Sequence, residues 1–209
     1  MIYNSPRDDM APLVPEAATS ILDVGCSTGN FGELLRTQRD AVLWGIDPTP
    51  PPMNRPSPYD RRITGRFPED LPATEPFDCI VFNDVLEHMI DPWTVLAATR
   101  SFLSPDGIVV ASIPNIRHLS VLAPLLVAGR WNYVDWGVLD RTHLRFFTRK
   151  SMIDLFEGAG YQVEHIEPHW ISGERFAWRR LLGGRFDELA AHQYAVVARP
   201  AAPSRSRER

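Results

Sequence analysis

Apolar runs of strand length alternate with stretches of helical length along most of the chain. This alternation is typical of βαβ units that assemble a mainly parallel sheet. The run at 77–82 is almost continuously apolar, as expected of a central strand that is buried on both faces. The predicted strands lie at 20–24, 41–46, 62–65, 77–82, 108–113, 161–166 and 193–198.

The same pattern predicts three helices, at 31–39, 92–103 and 148–158. Asp91 is a suitable N-cap for the second helix, with Pro92 at its first helical position. The sequence Pro105-Asp106-Gly107 then favours a turn before the fifth strand. The helices and strands together predict an α/β protein.

Segment 114–147 departs from the alternation, and we interpret it as an insertion into one domain that spans 1–199. The tail at 200–209 is rich in Pro, Ser and Arg, and we expect it to be disordered. The chain has 209 residues, of which 44% are hydrophobic and 23% charged, as in one soluble globular domain. This composition excludes a fibrous or wholly disordered protein.

The net charge and the number of cysteines indicate which partners and which compartment to expect. The net charge of −4 provides no strong field for a polyanion, so we expect no nucleic-acid partner. Cys26 and Cys79 are too few for a disulfide framework, which favours a reducing compartment. No segment resembles a signal peptide or a membrane span. A cytoplasmic monomer or homodimer is therefore expected.

The first strand runs into a glycine-bearing turn that opens a helix, Asp23-Val24-Gly25-Cys26-Ser27-Thr28-Gly29. Small residues let a ligand approach the backbone there, and the helix N-terminus presents N–H groups without helical partners. The spacing differs from the G-x-G-x-x-G fingerprint of dinucleotide-binding proteins. The letters G-x-S-x-G also occur in serine hydrolases, but the Asp-then-His order of their partners is not found here.

Polar side chains follow two further strands. Asp47 ends the second strand, 18 residues after Gly29, where a carboxylate can accept hydrogen bonds from both hydroxyls of a ribose. An Asx-turn is the alternative interpretation of Asp47. The sequence Asn83-Asp84-Val85-Leu86-Glu87-His88 follows the most hydrophobic strand. Because ligands of open α/β sheets bind at the carboxyl ends of the strands, these residues are candidates for a site.

Taken in order, these motifs resemble those of class I S-adenosylmethionine-dependent methyltransferases. The resemblance is carried by Asp23-Val24-Gly25-Cys26-Ser27-Thr28-Gly29, Gly45-Ile46-Asp47, Phe77-Asp78-Cys79-Ile80, Asp84-Val85-Leu86-Glu87-His88 and Leu103-Ser104-Pro105-Asp106-Gly107. Arg141-Thr142-His143-Leu144-Arg145-Phe146-Phe147-Thr148 extends it to a bacterial small-molecule subgroup. It implies a Rossmann-like three-layer α/β sandwich with a doubly wound, seven-stranded, mostly parallel sheet whose last strand is antiparallel.

The resemblance also implies S-adenosylmethionine as the cofactor and S-adenosylhomocysteine as its product. The turn that begins at Asp23 would wrap the methionine part, and Asp47 would hold the ribose. Pro48 and Phe67 would contact the adenine, and Asn83 would meet the amino-acid end. The expected cofactor-binding residues are Arg7, Asp23, Gly25, Cys26, Gly29, Asp47, Pro48, Phe67, Asn83, Asp84 and Leu86.

Methyl transfer requires the protein to hold the acceptor in line with the methyl group, since the cofactor supplies the electrophile. A hydroxyl acceptor would need a base, and histidine suits that role. His88 is the first candidate and His143 the second, with a polar clamp that orders the insertion as the alternative role of His143. His118 is the third, with a surface histidine as the favoured interpretation. On a helical turn, Asp84, Glu87 and His88 would share one face. A divalent metal ion held by these three residues is the alternative interpretation; we interpret the two acids as groups that cap the next helix or bond backbone amides, and expect no metal.

Aromatic and basic residues of the insertion are candidates for acceptor binding: His118, Trp131, Tyr133, Trp136 and Arg145. The sequence therefore predicts transfer of a methyl group from S-adenosylmethionine to a small molecule, at an oxygen of a sugar or secondary-metabolite intermediate. A cofactor-binding partner module without catalysis, and methylation at nitrogen or carbon, are the alternatives.

Overall fold

The computed structural model describes residues 6–170 and 187–202. They include a seven-stranded sheet with the order β3-β2-β1-β4-β5-β7-β6. The strands are β1 (Ser20–Val24), β2 (Val42–Asp47), β3 (Arg61–Thr64), β4 (Phe77–Asn83), β5 (Leu103–Pro114), β6 (Tyr161–His169) and β7 (Gln193–Pro200). Neighbours from β3 to β5 pair in parallel, whereas β7 is antiparallel to both β5 and β6. The predicted sheet, with its last strand antiparallel, is confirmed.

Helices flank the sheet on both faces, as expected of a doubly wound fold. They are α1 (Asn30–Gln38), α2 (Pro92–Thr99), α3 (Leu119–Ala128), α4 (Arg149–Gly158) and α5 (Asp187–Ala190). Short 3₁₀-helices occur at Ala11–Leu13, Leu86–His88 and Arg100–Phe102. Helix α1 packs on one face of the sheet, and α2 and α4 pack on the other.

Successive residues of the central strands belong to two hydrophobic cores, one on each face of the sheet. Leu22 of β1 lies in the same core as Phe156 of α4. Ile21, its neighbour in the chain, lies in the opposite core with Leu35 of α1. Because both faces are buried, β1 and β4 carry nearly continuous apolar runs.

The predicted cap of α2 is present, since the backbone N–H of Thr94 donates to a carboxylate oxygen of Asp91 at 3.0 Å. The helix itself ends at Thr99, earlier than predicted, and the chain enters β5 at Leu103 after a 3₁₀ turn. The expected turn at 105–107 lies inside β5, where the register with β4 shifts. A β-bulge leaves residues unpaired, so it accommodates Pro and Gly within a strand.

The insertion at 114–147 consists of α3 and a long loop. A bridge between Asn115 and Phe147 holds its two ends together. Helix α3 buries Val121, but Leu126 and Val127 are 78% and 87% exposed. The apolar sequence of α3 is therefore only partly explained by core packing.

Two boundaries concern the tail. Strand β7 reaches Pro200, the first residue of the predicted tail, and residues 203–209 lie outside the described part of the chain. The division at 199 and the disorder of the tail therefore stay predictions. Within residues 6–170 and 187–202, no helix has the length and apolar character needed to cross a membrane.

Candidate active site

The carboxyl ends of β1, β2 and β4 meet at one edge of the sheet, beside a cavity of about 320 Å³. The parallel register places Val24 beside Ile46 on one side and beside Phe82 on the other. The residues that follow these three strands are therefore close in space. Eight of the expected cofactor-binding residues line the cavity: Arg7, Asp23, Gly25, Cys26, Asp47, Pro48, Asn83 and Asp84.

The turn between β1 and α1 forms one wall of this cavity. Gly25 has a φ of +73°, and a Cβ atom on it would lie 2.4 Å from a methyl group of Val85, so the turn requires glycine. The backbone N–H of Ser27 donates to Oδ2 of Asp47 at 2.8 Å. The N–H of Thr49 donates to Oδ1 of the same carboxylate at 2.7 Å, which is an Asx-turn contact. Two backbone donors thus fix Asp47 at the cavity.

Asp23 is a buried acid in the cavity wall. The hydroxyl of Tyr59 donates to its Oδ2 at 2.6 Å. Burial raises the pKa of Asp23 to about 7; the hydrogen bond from Tyr59 opposes this shift, and the nearby charge of Asp47 adds to it. Asp23 therefore changes its protonation state near neutral pH.

Asn83, at the end of β4, offers polar atoms that the described residues leave unused. Its Oδ1 and Nδ2 are both buried, and neither has a hydrogen-bond partner within residues 6–170 and 187–202. A buried polar group without a partner costs about 1–3 kcal/mol, which a ligand with complementary groups would recover. With the Asp47 carboxylate and the close backbone approach at Gly25, the cavity fits a nucleoside cofactor that carries an amino-acid group.

Arg7 and Asp84 form an ion pair in another part of the wall. Nη1 of Arg7 donates to Oδ2 of Asp84, and the hydroxyl of Ser112 donates to Oδ1 at 3.0 Å. Arg7 and Asp84 have positive φ angles of +60° and +54°. Such angles are uncommon for residues other than glycine. The sequence predicted that Asp84 and Glu87 share one face of a helix. Asp84 instead precedes the short helix Leu86–His88, so the two side chains do not share a helical face.

His88 is the candidate base that lines the cavity. Its Nδ1 lies 3.2 Å from both the carbonyl oxygen and Oγ1 of Thr142. Because Oγ1 of Thr142 donates its own hydrogen to Asp140 at 2.6 Å, both Thr142 oxygens can accept from Nδ1. The hydrogen of the neutral ring is therefore assigned to Nδ1, and Nε2 is the nitrogen that can accept a proton.

His143 is buried behind His88 and is not among the described residues that line the cavity. The two rings meet edge to face, with centroids 4.7 Å apart. Nδ1 of His143 donates to the carbonyl of Val138 at 3.0 Å. The N–H groups of Leu144 and Arg145 donate to the carbonyl of Glu87 at 2.8 and 3.0 Å. These contacts favour the clamp that orders the insertion over the catalytic role for His143.

Glu87 is a buried carboxyl beside His143. Its Oε1 lies 3.9 Å from Nε2 of His143. Burial, with repulsion from Asp84, raises the pKa of Glu87 well above its usual value. Burial also lowers the pKa of His143. We therefore assign neutral forms to both side chains rather than an ion pair.

Glu87, His88 and His143 are the described residues that could hold a metal ion, since one ligand atom of each lies within 4.8 Å of the others. Neither carboxylate oxygen of Glu87 has a hydrogen-bond partner within the described ranges. Carboxylate and imidazole ligands suit zinc and other divalent ions. This set differs from the Asp84-containing face that the sequence indicated, and the expectation of no metal stays a prediction.

Three expected cofactor-binding residues lie outside this cavity wall. Gly29 is the N-cap of α1, with a φ of +91°. Phe67 packs in the core, edge to face with Phe82 at a centroid distance of 5.8 Å. Leu86 is fully buried in the same core. Because core packing sequesters the ring and Phe67 is not among the described residues that line the cavity, its adenine contact stays a prediction.

A second cavity, of about 440 Å³, lies between α3 and the loop that follows it. His118 and Trp136 line it, as does Val138, whose carbonyl accepts from His143. His118 also caps α3, because its Nδ1 accepts from the N–H of Ser120. Of the predicted acceptor residues, His118 and Trp136 are thus brought together.

The other predicted acceptor residues lie elsewhere. The ring of Trp131 packs on Phe146 at a centroid distance of 5.4 Å. Tyr133 is 53% exposed. Arg145 lies over the ring of Trp93, 5.9 Å from its centroid, and donates to the carbonyl of Ile90. These residues support or border the insertion rather than its cavity.

Tyr59, Ser112 and Thr142 belong to the site but were not identified from the sequence. Each acts on a side chain that was identified: Tyr59 on Asp23, Ser112 on Asp84, and Thr142 on His88. Thr142 precedes His143 in one of the motifs given above, and this position is the one feature of the sequence that points to Thr142. Tyr59 follows a proline-rich loop, and nothing in the local pattern indicates its partner.

Ligands of open α/β sheets bind where the strand order reverses, outside the carboxyl ends of the strands. Here the order reverses between β1 and β4, and the cavity lies at that place. An antiparallel β7 between β5 and β6 completes the arrangement of the class I S-adenosylmethionine-dependent methyltransferases. The chain belongs to the methyltransferase domain family, whose model matches residues 3–166. Its cofactor is S-adenosylmethionine.

Curated relatives agree with this family. A ubiquinone biosynthesis O-methyltransferase of Cereibacter sphaeroides is 32% identical over 202 residues, which cover 93% of this chain and 78% of that protein. One of Pseudomonas entomophila is 33% identical over 181 residues, with 77% and 75% covered. The chain covers 64% of the same enzyme from other Cereibacter sphaeroides strains.

Solved structures show the same fold. The 1,6-didemethyltoxoflavin N1-methyltransferase of Burkholderia thailandensis, crystallised with S-adenosylhomocysteine, has a TM-score of 0.64. The match covers 95% of this chain and 80% of that one, at 16% identity. At this identity the similarity concerns the fold alone.

The shifted pKa of Asp23 predicts a change in stability with pH. An unfolded Asp has a pKa of about 3.9, so the folded protein binds the extra proton between that value and about 7. Stability due to this group is therefore present at low pH and is lost as pH rises through 7. Relative to Asp23→Asn, the wild type should lose at most about 3 kcal/mol between pH 5 and pH 8, because pH 5 lies about two units below the folded pKa and each unit is worth about 1.4 kcal/mol.

Urea unfolding at pH 5, 6, 7 and 8 measures this difference. Asp23→Asn keeps an oxygen that can accept from Tyr59. Asp40→Asn, at an exposed acid, is the control and should follow the wild-type profile. Parallel profiles for Asp23→Asn and the wild type would contradict the raised pKa.

Proposed function

We propose that the protein methylates an oxygen of a small-molecule acceptor, with His88 as the base. One observation supports this most: His88, oriented through Nδ1 by Thr142, lines the same cavity as Asp47 and Asn83. The base and the cofactor cradle therefore share one wall. This is the geometry that direct transfer to a deprotonated hydroxyl needs.

The cradle binds the cofactor by its separate parts. Asp47, fixed by two backbone donors, accepts hydrogen bonds from the ribose hydroxyls. Asn83 uses its amide, which has no partner among the described residues, for the amino-acid end, and Arg7 receives the carboxylate. Gly25 lets the ligand approach the backbone, and Pro48 borders the adenine. Each assignment uses a residue of the cavity wall.

S-adenosylmethionine supplies a methyl group on a cationic sulfur, an electrophile that needs no further activation. The protein's task is to place the acceptor and to remove its proton. Nε2 of His88 takes the hydroxyl proton, and the oxygens of Thr142 stabilise the resulting imidazolium through Nδ1–H. His143, whose pKa is lowered by burial, supports the His88 ring from behind through its edge-to-face contact.

The second cavity binds the part of the acceptor that does not react. Val138, which lines it, accepts a hydrogen bond from His143, and the ring of His143 in turn contacts that of His88. Trp136 offers an aromatic face for a sugar or an aromatic ring. His118 adds a polar edge at the start of α3.

The relatives support oxygen as the methylated atom, since those described above are O-methyltransferases of ubiquinone biosynthesis. The acceptor class that we propose is a hydroxyl on a ring, either a phenol or a sugar. Nuclear magnetic resonance of the product made with ¹³C-methyl cofactor distinguishes O-methyl from N-methyl and C-methyl carbons. A product methylated at nitrogen or carbon would contradict the proposal.

Asp47→Ala should weaken S-adenosylhomocysteine binding by about 10- to 100-fold, since a charged hydrogen bond contributes about 1.5–3 kcal/mol. Isothermal titration calorimetry measures the dissociation constant. Asp40→Ala removes an exposed carboxylate away from the cavity and should bind as the wild type does. Unchanged affinity in Asp47→Ala would exclude the ribose assignment.

His88→Asn should lower kcat by about 10²- to 10⁴-fold, the usual contribution of a general base. Affinity for S-adenosylhomocysteine should change by less than about threefold, because His88 acts on the acceptor. The matched control is His165→Asn, an exposed histidine of β6. Raising the pH should partly rescue His88→Asn with an acidic phenol. Full activity of His88→Asn would contradict the role of base.

Trp136→Ala should raise the KM for the acceptor about tenfold, while the dissociation constant of S-adenosylhomocysteine stays unchanged. The reason is that Trp136 lines the second cavity and not the first. Trp93→Ala, at a tryptophan that is 46% exposed on α2, controls for loss of an aromatic side chain. An unchanged KM in Trp136→Ala would remove the second cavity from the acceptor site.

A further inference from the structure

A row of side chains connects Arg7 to β6 outside the cofactor cavity. Nε and Nη2 of Arg7 donate to the two carboxylate oxygens of Asp9, each at 3.0 Å. Nδ1 of His169, the last residue of β6, lies 2.8 Å from Oδ2 of the same carboxylate. Nε2 of His169 lies 3.5 Å from Oε1 of Glu167. The cavity wall is thus tied to a distant strand.

The contacts to Asp9 contribute to the orientation of the Arg7 guanidinium. A guanidinium is a rigid planar fork, and a two-point contact with a carboxylate fixes its plane. Asp84 contacts only Nη1, so by itself it would leave that plane able to turn. Arg7 is also held in a left-handed backbone conformation, which persists only when surrounding contacts maintain it.

Asp9 in turn needs a second partner to stay in place. Its side chain is 42% exposed, whereas that of His169 is 15% exposed and belongs to a strand of the sheet. Burial disfavours the ionised form of Asp9, but the contacts with His169 and Arg7 outweigh it and hold the pKa of Asp9 below its usual range. Asp9 is therefore a carboxylate held between the Arg7 guanidinium and the ring of His169, which belongs to β6.

We propose that His169 is a positioning residue for cofactor binding, which acts through Asp9 to orient the Arg7 guanidinium toward the carboxylate of S-adenosylmethionine. The inference rests on the proposed role of Arg7 in the cofactor site. His169 is not among the described residues that line the cavity, so its effect is transmitted through two side chains. It should therefore concern the amino-acid end of the ligand and not the adenosine.

Two ligands separate these ends: S-adenosylhomocysteine carries the carboxylate, and 5′-methylthioadenosine lacks the whole amino-acid group. His169→Ala should weaken S-adenosylhomocysteine binding about three- to tenfold, as expected for loss of one supporting polar contact. Binding of 5′-methylthioadenosine should not change. Both dissociation constants are measured by calorimetry, so the test does not require the acceptor.

His165→Ala is the matched control. His165 lies on the same strand and contacts Glu167 at 3.0 Å, so its removal leaves the Asp9 contact in place. It should bind both ligands as the wild type does. Asp9→Asn removes the link from the other side, should show the same selective loss, and replaces His169→Ala if that variant does not fold.

Coupling to Arg7 is the second measurement. In an Arg7→Ala background, His169→Ala should cause no further loss of S-adenosylhomocysteine affinity, because the two residues act in one chain of contacts. Additive losses would overturn the inference. So would equal losses for both ligands, which indicate a merely structural role, or unchanged S-adenosylhomocysteine binding in both His169→Ala and Asp9→Asn. Unchanged affinity in Arg7→Ala would instead overturn the proposed carboxylate contact.

Discussion

The parallel adjacency of β1 with both β2 and β4 is the constraint on which the site depends. The register aligns Val24 with Ile46 and Phe82, so the three strands end at the same level. Both faces of these strands are buried, so polar residues that follow them collect at the edge of the sheet. The cavity is therefore a consequence of strand order, and its side chains come from segments far apart in the chain.

This arrangement brings several carboxyl groups close together, where their negative charges repel one another. Asp47 and Asp84 are held by donors, from the backbone and from Arg7 respectively. Burial instead raises the pKa of Asp23 to about 7 and the pKa of Glu87 well above its usual value. The site thus carries less negative charge than its composition indicates. The negative charge that remains, on Asp47 and Asp84, suits a ligand with a cationic centre, since opposite charges attract strongly where water is scarce.

The sequence predicted the sheet well because strands that are buried on both faces have continuous apolar sequences, which can be recognised without a structure. It also predicted Asp47 and Asn83, which directly follow or end such runs. It did not predict that Phe67 would be sequestered against Phe82, because an aromatic side chain suits a core as well as a pocket. Nor did it predict Tyr59 as the partner of Asp23, since a hydrogen bond between distant segments depends on tertiary packing. Local patterns do not encode such pairs.

The base of the insertion is closed by the main chain. Ile116 donates to the carbonyl of Phe147, and the carbonyl of Glu87 receives the N–H groups of Leu144 and Arg145. Backbone bonds of this kind do not depend on which side chains occupy the rest of the segment. Mutations in the lining of the second cavity can therefore accumulate while the short helix Leu86–His88 keeps its shape. Substitutions within the insertion can therefore change the preference for the acceptor during evolution without changing the residues that bind the cofactor.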